Sequence, residues 1–390
     1  MPEASKLGVV RCNSLCCVTE VGLLSKGTEV RMSPSPSGVQ FRFAGPDDVT
    51  SIGEFLQELG EPHFKERRFP KSTAQDYYTW KYFGNSLGSA VVGLALASDR
   101  VVGTVAAMPK PLQVGARRVV AYQLGDALTA ADFRKRGLFS QLTKMVCDEI
   151  ALRDAVLVYG QPNEKSFPLL MNLGFVQPQQ ILQRHYPIPS RVLARRLHVS
   201  PHLISWTGID KLMGSLAAPP ASDPRVTVER ISGFDRETDE IWQKVREDYT
   251  FLLERKHEYL NWRYVESPTP FQIWLARRDN KPLGFLVGFS AEEDRLGEIV
   301  DLFTTSRDSA PAQVLLNQAF REFHRQGMRA IFAFSISGSQ RSAVGRLLRR
   351  ACPLVRQKPL HFVVRYFDPT MPDHLDMSEC HFSLGDFDGV

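Results

Sequence analysis

The chain has 390 residues, of which 43% are hydrophobic and 23% are charged. This apolar content can fill a core, so the composition excludes a chain that is disordered throughout, and the length favours two domains over one. Six cysteines are too few for a disulfide scaffold. The formal net charge of +5 leaves no concentrated basic tract, so we expect no nucleic-acid partner.

The first 38 residues are expected to form a disordered or loosely ordered extension. They lack the basic start and the continuous apolar stretch of a secretory signal. No part of the chain has the roughly 18 uninterrupted apolar residues that a membrane helix needs. We therefore expect a cytoplasmic protein without a membrane partner.

Two local features of this extension bear on metal binding and on the translation start. Cys12, Cys16 and Cys17 form the only cysteine cluster, but no fourth ligand is spaced for zinc, so we expect no metal. A Ser–Pro linker over 33–38 follows Met32, which leaves Met1 and Met32 as candidate translation starts.

Residues 39–186 are predicted to form one α/β unit. The apolar pattern predicts a strand (40–43), helices (47–59 and 71–83), strands (89–97, 100–108 and 117–129), a helix (137–153), a strand (155–159), a helix (164–173) and a strand (175–186). Consecutive strands followed by alternating helix and strand indicate a mixed sheet. The 137–153 helix is expected to pack on that sheet through one apolar stripe, Leu138, Leu142, Met145, Val146 and Ile150.

A basic turn joins the 117–129 strand to the next helix. Arg134, Lys135 and Arg136 precede Gly137, where the helix is predicted to begin. The first N–H groups of a helix are unpaired and favour an anion, and glycine lets a ligand approach the backbone. The turn therefore suits a pyrophosphate, although a pattern this short, taken alone, is more often a solvated basic turn.

A repeat links this unit to a second one. The pattern Tyr-x-x-Trp-basic-Tyr occurs at 77–82 and again at 259–264, 182 positions later. A strand, a tight turn and a strand follow each copy, and Gly-x-Asp precedes each copy, at Gly45 and at Gly233. The repeat predicts two copies of one α/β unit, with a proline-rich connector over 187–224 and the second copy over 225–390.

The first unit resembles the GCN5-related N-acetyltransferase (GNAT) superfamily. Residues 133–139, Phe-Arg-Lys-Arg-Gly-Leu-Phe, look like the acetyl-CoA pyrophosphate turn of that family. A strand–Asn–helix–Gly-Phe block follows over 156–175, with Asn163 in its expected place. The segment 128–139 is particularly similar to a subgroup of larger bacterial members. The resemblance implies two GNAT-like domains in tandem, each a mixed, mostly antiparallel sheet flanked by helices.

The resemblance also implies acetyl-CoA as cosubstrate and a set of residues that bind it. These residues are Leu128, Thr129, Arg134, Lys135, Arg136, Gly137, Leu138, Phe139 and Asn163. Phe139 departs from the family pattern, which has Gly or Ala there, so its ring is expected to face away from the pyrophosphate or to narrow the site. The backbone near Thr129 is where the family polarises the thioester carbonyl.

The catalytic residues are less clearly indicated. An ammonium acceptor must lose a proton before it attacks a thioester, and Asp126 is the predicted base, on one strand face with Tyr122, Leu124 and Leu128. Its alternative role is a structural carboxylate. Many members have a Tyr seven residues after the Asn as the acid for the departing thiolate, whereas this chain has Leu170.

Two side chains remain as acid candidates. They are Ser166 and Tyr159, and the thiolate otherwise leaves unassisted.

The second unit lacks the CoA features. Neither a basic cluster nor a glycine follows its 297–304 strand, and Ser337-Gly338-Ser339 replaces the Asn, so we expect no CoA there. Trp80 and Trp262 are expected to be core anchors on helices rather than substrate-stacking rings. The basic residues Arg184, Arg191, Arg195 and Arg196 either attract an acidic acceptor or form a solvated face.

The sequence thus predicts an acyl-CoA-dependent N-acyltransferase, most simply an N-acetyltransferase, in which a small-molecule amine attacks acetyl-CoA directly in a ternary complex. An amino sugar is the preferred acceptor, by analogy with larger bacterial relatives, and loops near 60–70 and in the connector would select it. Two alternatives stay open: a catalytically silent CoA-binding protein and a transferase that uses aminoacyl-tRNA. The oligomeric state is not predicted.

Overall fold

The computed structural model of the chain contains two mixed β-sheets, each flanked by helices. The structure describes residues 38–59, 73–178, 182–187, 223–292, 295–305, 307–328, 330–336, 355–371, 376 and 379–387. Several sequence predictions lie outside these residues: the extension with its cysteine cluster, the 60–70 loop, the connector beyond 187, Arg191, Arg195 and Arg196, and Ser337-Gly338-Ser339.

The N-terminal half supplies six strands and four helices to the described structure. In chain order these are β1 (Val39–Phe43), α1 (Val49–Leu59), α2 (Ala74–Phe83), β2 (Val91–Ala97), β3 (Arg100–Val114), β4 (Arg117–Thr129), α3 (Leu138–Leu152), β5 (Leu157–Gly160), α4 (Phe167–Asn172) and β6 (Leu182–Pro187). Short 3-10 turns at Pro46–Asp48 and Ala131–Phe133 precede α1 and α3.

The C-terminal half supplies nine strands and three helices to the same description. They are β7 (Val226–Ile231), α5 (Asp239–Val245), β8 (Phe251–Leu253), α6 (His257–Leu260), β9 (Gln272–Arg278), β10 (Lys281–Ala291), β11 (Leu296–Thr304), α7 (Ala310–Arg325), β12 (Ala330–Ile336), β13 (Val355–Leu360), β14 (Val363–Tyr366) and β15 (Cys380–His381). A turn of π-helix, Asn261–Val265, continues α6.

Both sheets are mixed and mostly antiparallel, as the sequence predicted. The first has the order β1-β2-β3-β4-β5-β14, and β8 joins it through β3 and carries β15. The second has the order β13-β6-β12-β11-β10-β9-β7. The parallel pairs are β4 with β5, β11 with β12, and β8 with β15, so each sheet combines a meander with a crossover through a helix.

The two halves exchange strands, which the sequence did not predict. β14 pairs with β5 in the first sheet, whereas β6 pairs with β12 and β13 in the second. The predicted strand over 175–186 is confirmed only from Leu182 onward, as β6, which lies in the other sheet; before it, Val176 forms only a bridge to Val364. A cut after residue 186 does not separate the two sheets.

Helix α3 packs on the first sheet through the apolar stripe that the sequence predicted. Leu138, Leu142, Val146 and Ile150 are buried against β2 and β3. Gly93 permits this close approach, because a Cβ there would lie 3.0 Å from side-chain atoms of α3. The start of α3 is thus fixed to the sheet that carries β4.

The two copies of the repeated hexapeptide meet each other. The Trp80 and Trp262 rings stack with centroids 5.3 Å apart, and Trp80 Nε1 donates to the Trp262 carbonyl at 2.9 Å. Trp262 is buried and Trp80 packs partly buried against the first core, in agreement with the predicted anchoring role. This contact holds α2 in a fixed position beside β4.

A buried ion cluster ties the end of the chain to the second sheet. Arg255, which follows β8, contacts Asp301 Oδ2 through Nε at 3.0 Å and Asp386 Oδ1 through NH2 at 2.8 Å. Tyr264 donates its hydroxyl to Asp301 Oδ2 at 3.0 Å. Because the cluster is buried, each charge depends on its partners for stabilisation.

This cluster predicts loss of stability in acid. Burial alone would raise the pKa of Asp301, but the charge of Arg255 lowers it below its ordinary value of 3.8. A lowered pKa stabilises the fold above the unfolded-state pKa, about 3.9, and this stabilisation is lost as the pH falls below it. We expect the midpoint of urea unfolding to fall steeply below about pH 4. Asp301→Asn should start lower at pH 7 and fall less, and equal falls in both proteins would contradict this role.

Candidate acyl-CoA site

The predicted strand, basic turn and helix are present in the structure. β4 ends at Thr129, a 3-10 turn follows, and α3 begins after Gly137. Gly137 has φ +78, a left-handed conformation that suits glycine, and no side chain caps the helix there. The first turn of α3 therefore keeps the unpaired N–H groups that an anion can accept.

Three exposed cations surround this helix start. Arg134 donates from Nε to the Thr129 carbonyl at 3.2 Å, and the Arg136 guanidinium lies 4.9 Å from the centre of the Phe133 ring. No carboxylate in the described ranges forms an ion pair with Arg134, Lys135 or Arg136. The positive charge at the turn is thus left for a ligand.

The apolar residues of the turn belong to the core. Leu138 is buried, and Phe139 is partly buried and packs against the first hydrophobic core. The Phe139 ring therefore packs into the protein, which is the first of the two orientations expected from the sequence. Only its backbone N–H, in the first turn of α3, is suited to an anion.

An open strand edge lies beside the turn. β4 and β5 pair from Ala121 with Leu157 to Leu124 with Gly160, where β5 ends. β4 continues to Thr129, and its other edge stays paired with β3. Beyond Leu124, the edge of β4 that faced β5 has no strand partner among the described residues, so backbone groups on this edge, apart from the Thr129 carbonyl that Arg134 contacts, can bind a ligand.

A β-bulge shapes this open edge. The β3–β4 register shifts between Thr104 and Ala106, and Asp126 has φ +47. The predicted common face of Tyr122, Leu124, Asp126 and Leu128 is therefore wrong, because the bulge interrupts strand alternation. Leu128 and Thr129 follow the bulge and are partly buried.

Asp126 sits in a buried polar contact rather than among apolar neighbours alone. Lys81 Nζ lies 2.6 Å from Asp126 Oδ2, and the Tyr82 hydroxyl donates to the same oxygen at 2.7 Å. The Asp126 and Lys81 side chains are 5% and 2% exposed. Burial, followed by the Asp126 charge, raises the pKa of Tyr82 well above 10. No described residue donates a hydrogen bond to Asp126 Oδ1.

Sequence reasoning missed Lys81 and Tyr82 as partners of Asp126. The signal was present, since both residues end the repeated Tyr-x-x-Trp-basic-Tyr pattern, which was assigned only a packing role. Nothing in the pattern indicated which carboxylate the basic residue meets, 45 positions along the chain.

The other sequence-predicted residues have structural roles of their own. Asn163 is exposed, and its Oδ1 accepts from the backbone N–H groups of Lys165 and Ser166 at 3.0 Å, which closes the turn before α4. Ser166 Oγ accepts from the Asn163 N–H at 3.1 Å. Leu170 is buried.

Tyr159 does not suit the acid role. Its side chain is buried among Phe362, Phe382 and Phe387, and its hydroxyl donates to the Asp386 carbonyl at 2.8 Å. It belongs to the core that holds the C-terminal segment, so we do not retain it as an acid.

The second copy differs from the first at the start of its helix and around its aspartate. At the start of α7, Asp308 Oδ1 accepts from the Ala310 N–H at 2.9 Å, while Arg278 contacts Oδ2 at 2.8 Å. A protein carboxylate thus occupies the place that an anion would take. Asp301, on β11, has Arg255 within 3.0 Å of Oδ2 and His381 3.8 Å from Oδ1.

The described residues contain neither a metal-binding cluster nor a membrane-spanning helix. No group of three or more His, Cys, Asp or Glu side chains within the described ranges is placed to hold a metal ion. Of the helices described, none is both long enough and apolar enough to cross a membrane.

Comparisons with known proteins place the turn in a family. Residues 63–176 match the family model for an acetyltransferase (GNAT) domain. No curated protein matches the chain at the sequence level.

The fold is similar to several solved structures, all of low sequence identity. A conserved protein of unknown function from Enterococcus faecalis V583, described as a probable N-acyltransferase, is 13% identical with a TM-score of 0.56, covering 84% of this chain and 73% of its own. A GCN5-related N-acetyltransferase from Anabaena variabilis is 12% identical with a TM-score of 0.54, covering 85% and 73%. Saccharomyces cerevisiae N-myristoyltransferase with bound myristoyl-CoA is 11% identical with a TM-score of 0.57, covering 90% and 89%.

These likenesses show the fold, and the family match covers the strand, turn and helix described above. Residues 63–176 of the chain are therefore identified as an acetyltransferase (GNAT) domain.

Proposed function

We propose that the protein is an acyl-CoA-dependent N-acyltransferase, with acetyl-CoA as the simplest donor and a small amine as the acceptor. The observation that carries this proposal is the uncapped start of α3, where three exposed cations adjoin the open edge of β4. An anion and an extended chain can bind side by side there. Membership of the GNAT family supports acyl-CoA as the ligand.

The pyrophosphate of CoA would bind at the turn. The N–H groups from Gly137 to Phe139 would donate to its oxygens, and Arg134, Lys135 and Arg136 would neutralise its charge. The pantetheine would run along the open edge of β4, where the backbone of Leu128 and Thr129 offers hydrogen bonds. Asn163, exposed near the end of β5, would contact the same arm of the ligand.

Asp126 is the proposed general base. Its Oδ2 is held by Lys81 and Tyr82, whereas Oδ1 has no described donor and can accept the proton of an ammonium. The free amine then attacks the thioester carbon, and the carbonyl oxygen is stabilised by a backbone N–H of β4. Collapse of the adduct breaks the carbon–sulfur bond and releases CoA thiolate, and the amide nitrogen loses its remaining extra proton to the thiolate or to water.

The thiolate has only a weak acid candidate nearby. Ser166 is the remaining side chain from the sequence prediction, and its Oγ is engaged with Asn163. We propose that the thiolate leaves without a dedicated acid, because a thiolate is a stable leaving group near neutral pH. The silent CoA-binding alternative rests on the same absence of an acid, and turnover decides between them.

The second copy is proposed to be closed to CoA. Asp308 caps the start of α7. Asp301 already contacts Arg255, Tyr264 and His381. This copy would complete the acceptor side, which fits an amino sugar or another small amine. The strand exchange makes it inseparable from the first sheet.

Acceptor-dependent release of CoA thiol tests the function. We expect turnover of acetyl-CoA, or of a longer acyl-CoA, with at least one amine from a panel of amino sugars, aminoglycosides and polyamines. Asp126→Asn should lower kcat by about 100-fold or more, since a general base contributes 10²–10⁴, while acetyl-CoA still binds. The matched control is Asp132→Asn, an exposed carboxylate at the turn, which should keep full turnover.

Two outcomes would contradict this proposal. Full turnover by Asp126→Asn would remove the base assignment. Binding of acetyl-CoA by the wild type without thioester consumption across the whole panel would favour a silent CoA-binding protein.

A further inference from the structure

The same tyrosine–aspartate contact occurs once in each copy. The Tyr82 hydroxyl donates to Asp126 Oδ2, and the Tyr264 hydroxyl donates to Asp301 Oδ2. Both tyrosines end the repeated hexapeptide, and both aspartates lie three residues before a threonine that ends its strand. The strand registers agree, because Thr129 faces Gly103 and Thr304 faces Gly284.

Both central strands extend beyond their parallel neighbours, but the surroundings of the aspartate differ between the copies: in the second copy the Leu384–Asp386 turn packs against β11, and Arg255 links Asp386 to Asp301. β5 stops at Gly160, opposite Leu124, so the Tyr82 contact lies just beyond the last paired residues. In the second copy, Arg255 takes the place of the helix cation on the carboxylate, and Arg263 instead donates to the carbonyls of Gly385 and Phe387.

We propose that Lys81 and Tyr82 are positioning residues, which hold Asp126 and the β4 bulge in the geometry needed to receive the acyl thioester. This inference rests on the proposed function. The two residues fix one carboxylate oxygen and leave the other for the acceptor. They also restrain the backbone of β4 next to Asp126, because they bind its carboxylate to α2.

The backbone at this point needs such an anchor. Asp126 has φ +47, a conformation that costs energy for a residue with a side chain and persists only when its surroundings impose it. The bulge leaves no regular ladder partner for Asp126 on β3. The side-chain contacts to α2 are therefore the restraint that the structure offers.

The anchor is itself held firmly. Lys81 Nζ lies 5.8 to 6.0 Å from the ring centres of Tyr77, Tyr78 and Tyr82, and these cation–π contacts help to hold the ammonium in place. The helix begins with a capping box between Thr73 and Asp76. The Trp80–Trp262 stack fixes the helix against the second copy.

The test compares Tyr82→Phe with Tyr264→Phe, which removes the same hydroxyl contact from the copy whose aspartate is held by Arg255. The probes are acetyl-CoA and CoA, titrated calorimetrically into the full chain. We expect Tyr82→Phe to weaken acetyl-CoA binding about fivefold, the worth of one ordinary hydrogen bond, and to leave CoA binding within about twofold. Tyr264→Phe should change neither, although both variants lose a buried hydrogen bond.

A second readout does not depend on the ligand. Amide hydrogen exchange in peptides covering 122–129 should accelerate in Tyr82→Phe and in Lys81→Met, and stay unchanged in Tyr264→Phe. Lys81→Arg, which keeps the charge, should restore slow exchange in part.

The outcomes separate this inference from the function. If the wild type does not bind acetyl-CoA, the proposed function fails. The hydrogen-exchange data alone then test whether Lys81 and Tyr82 hold the β4 backbone. Equal weakening of acetyl-CoA and CoA, no weakening of either, or unchanged exchange in Tyr82→Phe would overturn the positioning role.

Discussion

Replacement of Arg134 and Arg136 by Glu should abolish acyl-CoA binding while the protein stays folded. Both side chains are exposed and have no ion pair among the described residues, so their loss leaves no buried charge. Each charge-assisted phosphate contact contributes about 1.5–3 kcal/mol, so two contacts correspond to a loss of roughly 100-fold to 10⁴-fold. Repulsion between the new carboxylates and the pyrophosphate adds to this loss. The dissociation constant for acetyl-CoA, measured by calorimetry, reports the effect.

The matched control reverses the same amount of charge in the second copy. Arg236 and Arg321 are exposed, and Arg236→Glu/Arg321→Glu changes the net charge equally. We expect this control to bind acetyl-CoA within about twofold of the wild type, since screening removes distant charge effects beyond about 8–10 Å. Equal weakening in both double variants would show that net charge, not the turn, governs binding.

Arg255→Met should destabilise the fold more than a comparable change at the surface. Arg255 is buried between Asp301 and Asp386, and its removal leaves two buried carboxylates without their cation. Breaking a buried pair in this way costs about 3–5 kcal/mol. The measurement is the free energy of unfolding from urea titration at pH 7, with Arg255→Lys as a variant that keeps the charge and should lose less.

Arg277 supplies the control for this prediction. It also bridges two carboxylates, Glu229 and Glu237, but these are 51% and 35% exposed. An exposed pair contributes about 0–1 kcal/mol, so Arg277→Met should cost far less than Arg255→Met. Similar losses for the two variants would mean that burial of the Arg255 cluster does not determine its contribution.

The turn could be predicted from sequence because it is local. Arg134 to Gly137 are consecutive, and the apolar stripe of α3 shows where the helix begins, so one short segment specifies both the charge and the open helix end. The mixed sheets were predictable for the same reason, since strand patterning and order are properties of neighbouring residues.

The strand exchange and the environment of Asp126 depend on distant residues. β6 and β14 are short, and nothing in their residues indicates which sheet they join. Lys81 and Tyr82 contact Asp126 only after α2 has packed beside β4. The bulge at Asp126, which interrupts the alternation of side chains along β4, depends on the pairing of β4 with β3. The burial of Tyr159 could not be predicted either, because the C-terminal segment that contacts it comes from 227 residues away.

The comparison of the two copies explains why one of them would bind CoA. Both have a helix following a central strand, but Gly137 leaves the first helix start open, and Asp308 closes the second with a carboxylate of the chain itself. Both have a tyrosine-bound aspartate, but both oxygens of Asp301 have partners, Arg255 and His381, whereas Asp126 keeps one oxygen without a described donor.

The most direct test counts the acyl-CoA sites on the full chain. Calorimetric titration of the wild type with acetyl-CoA should give one site per chain, and the Arg134→Glu/Arg136→Glu variant should give none. Two sites in the wild type, or one site that persists in the variant, would contradict a single site at the start of α3.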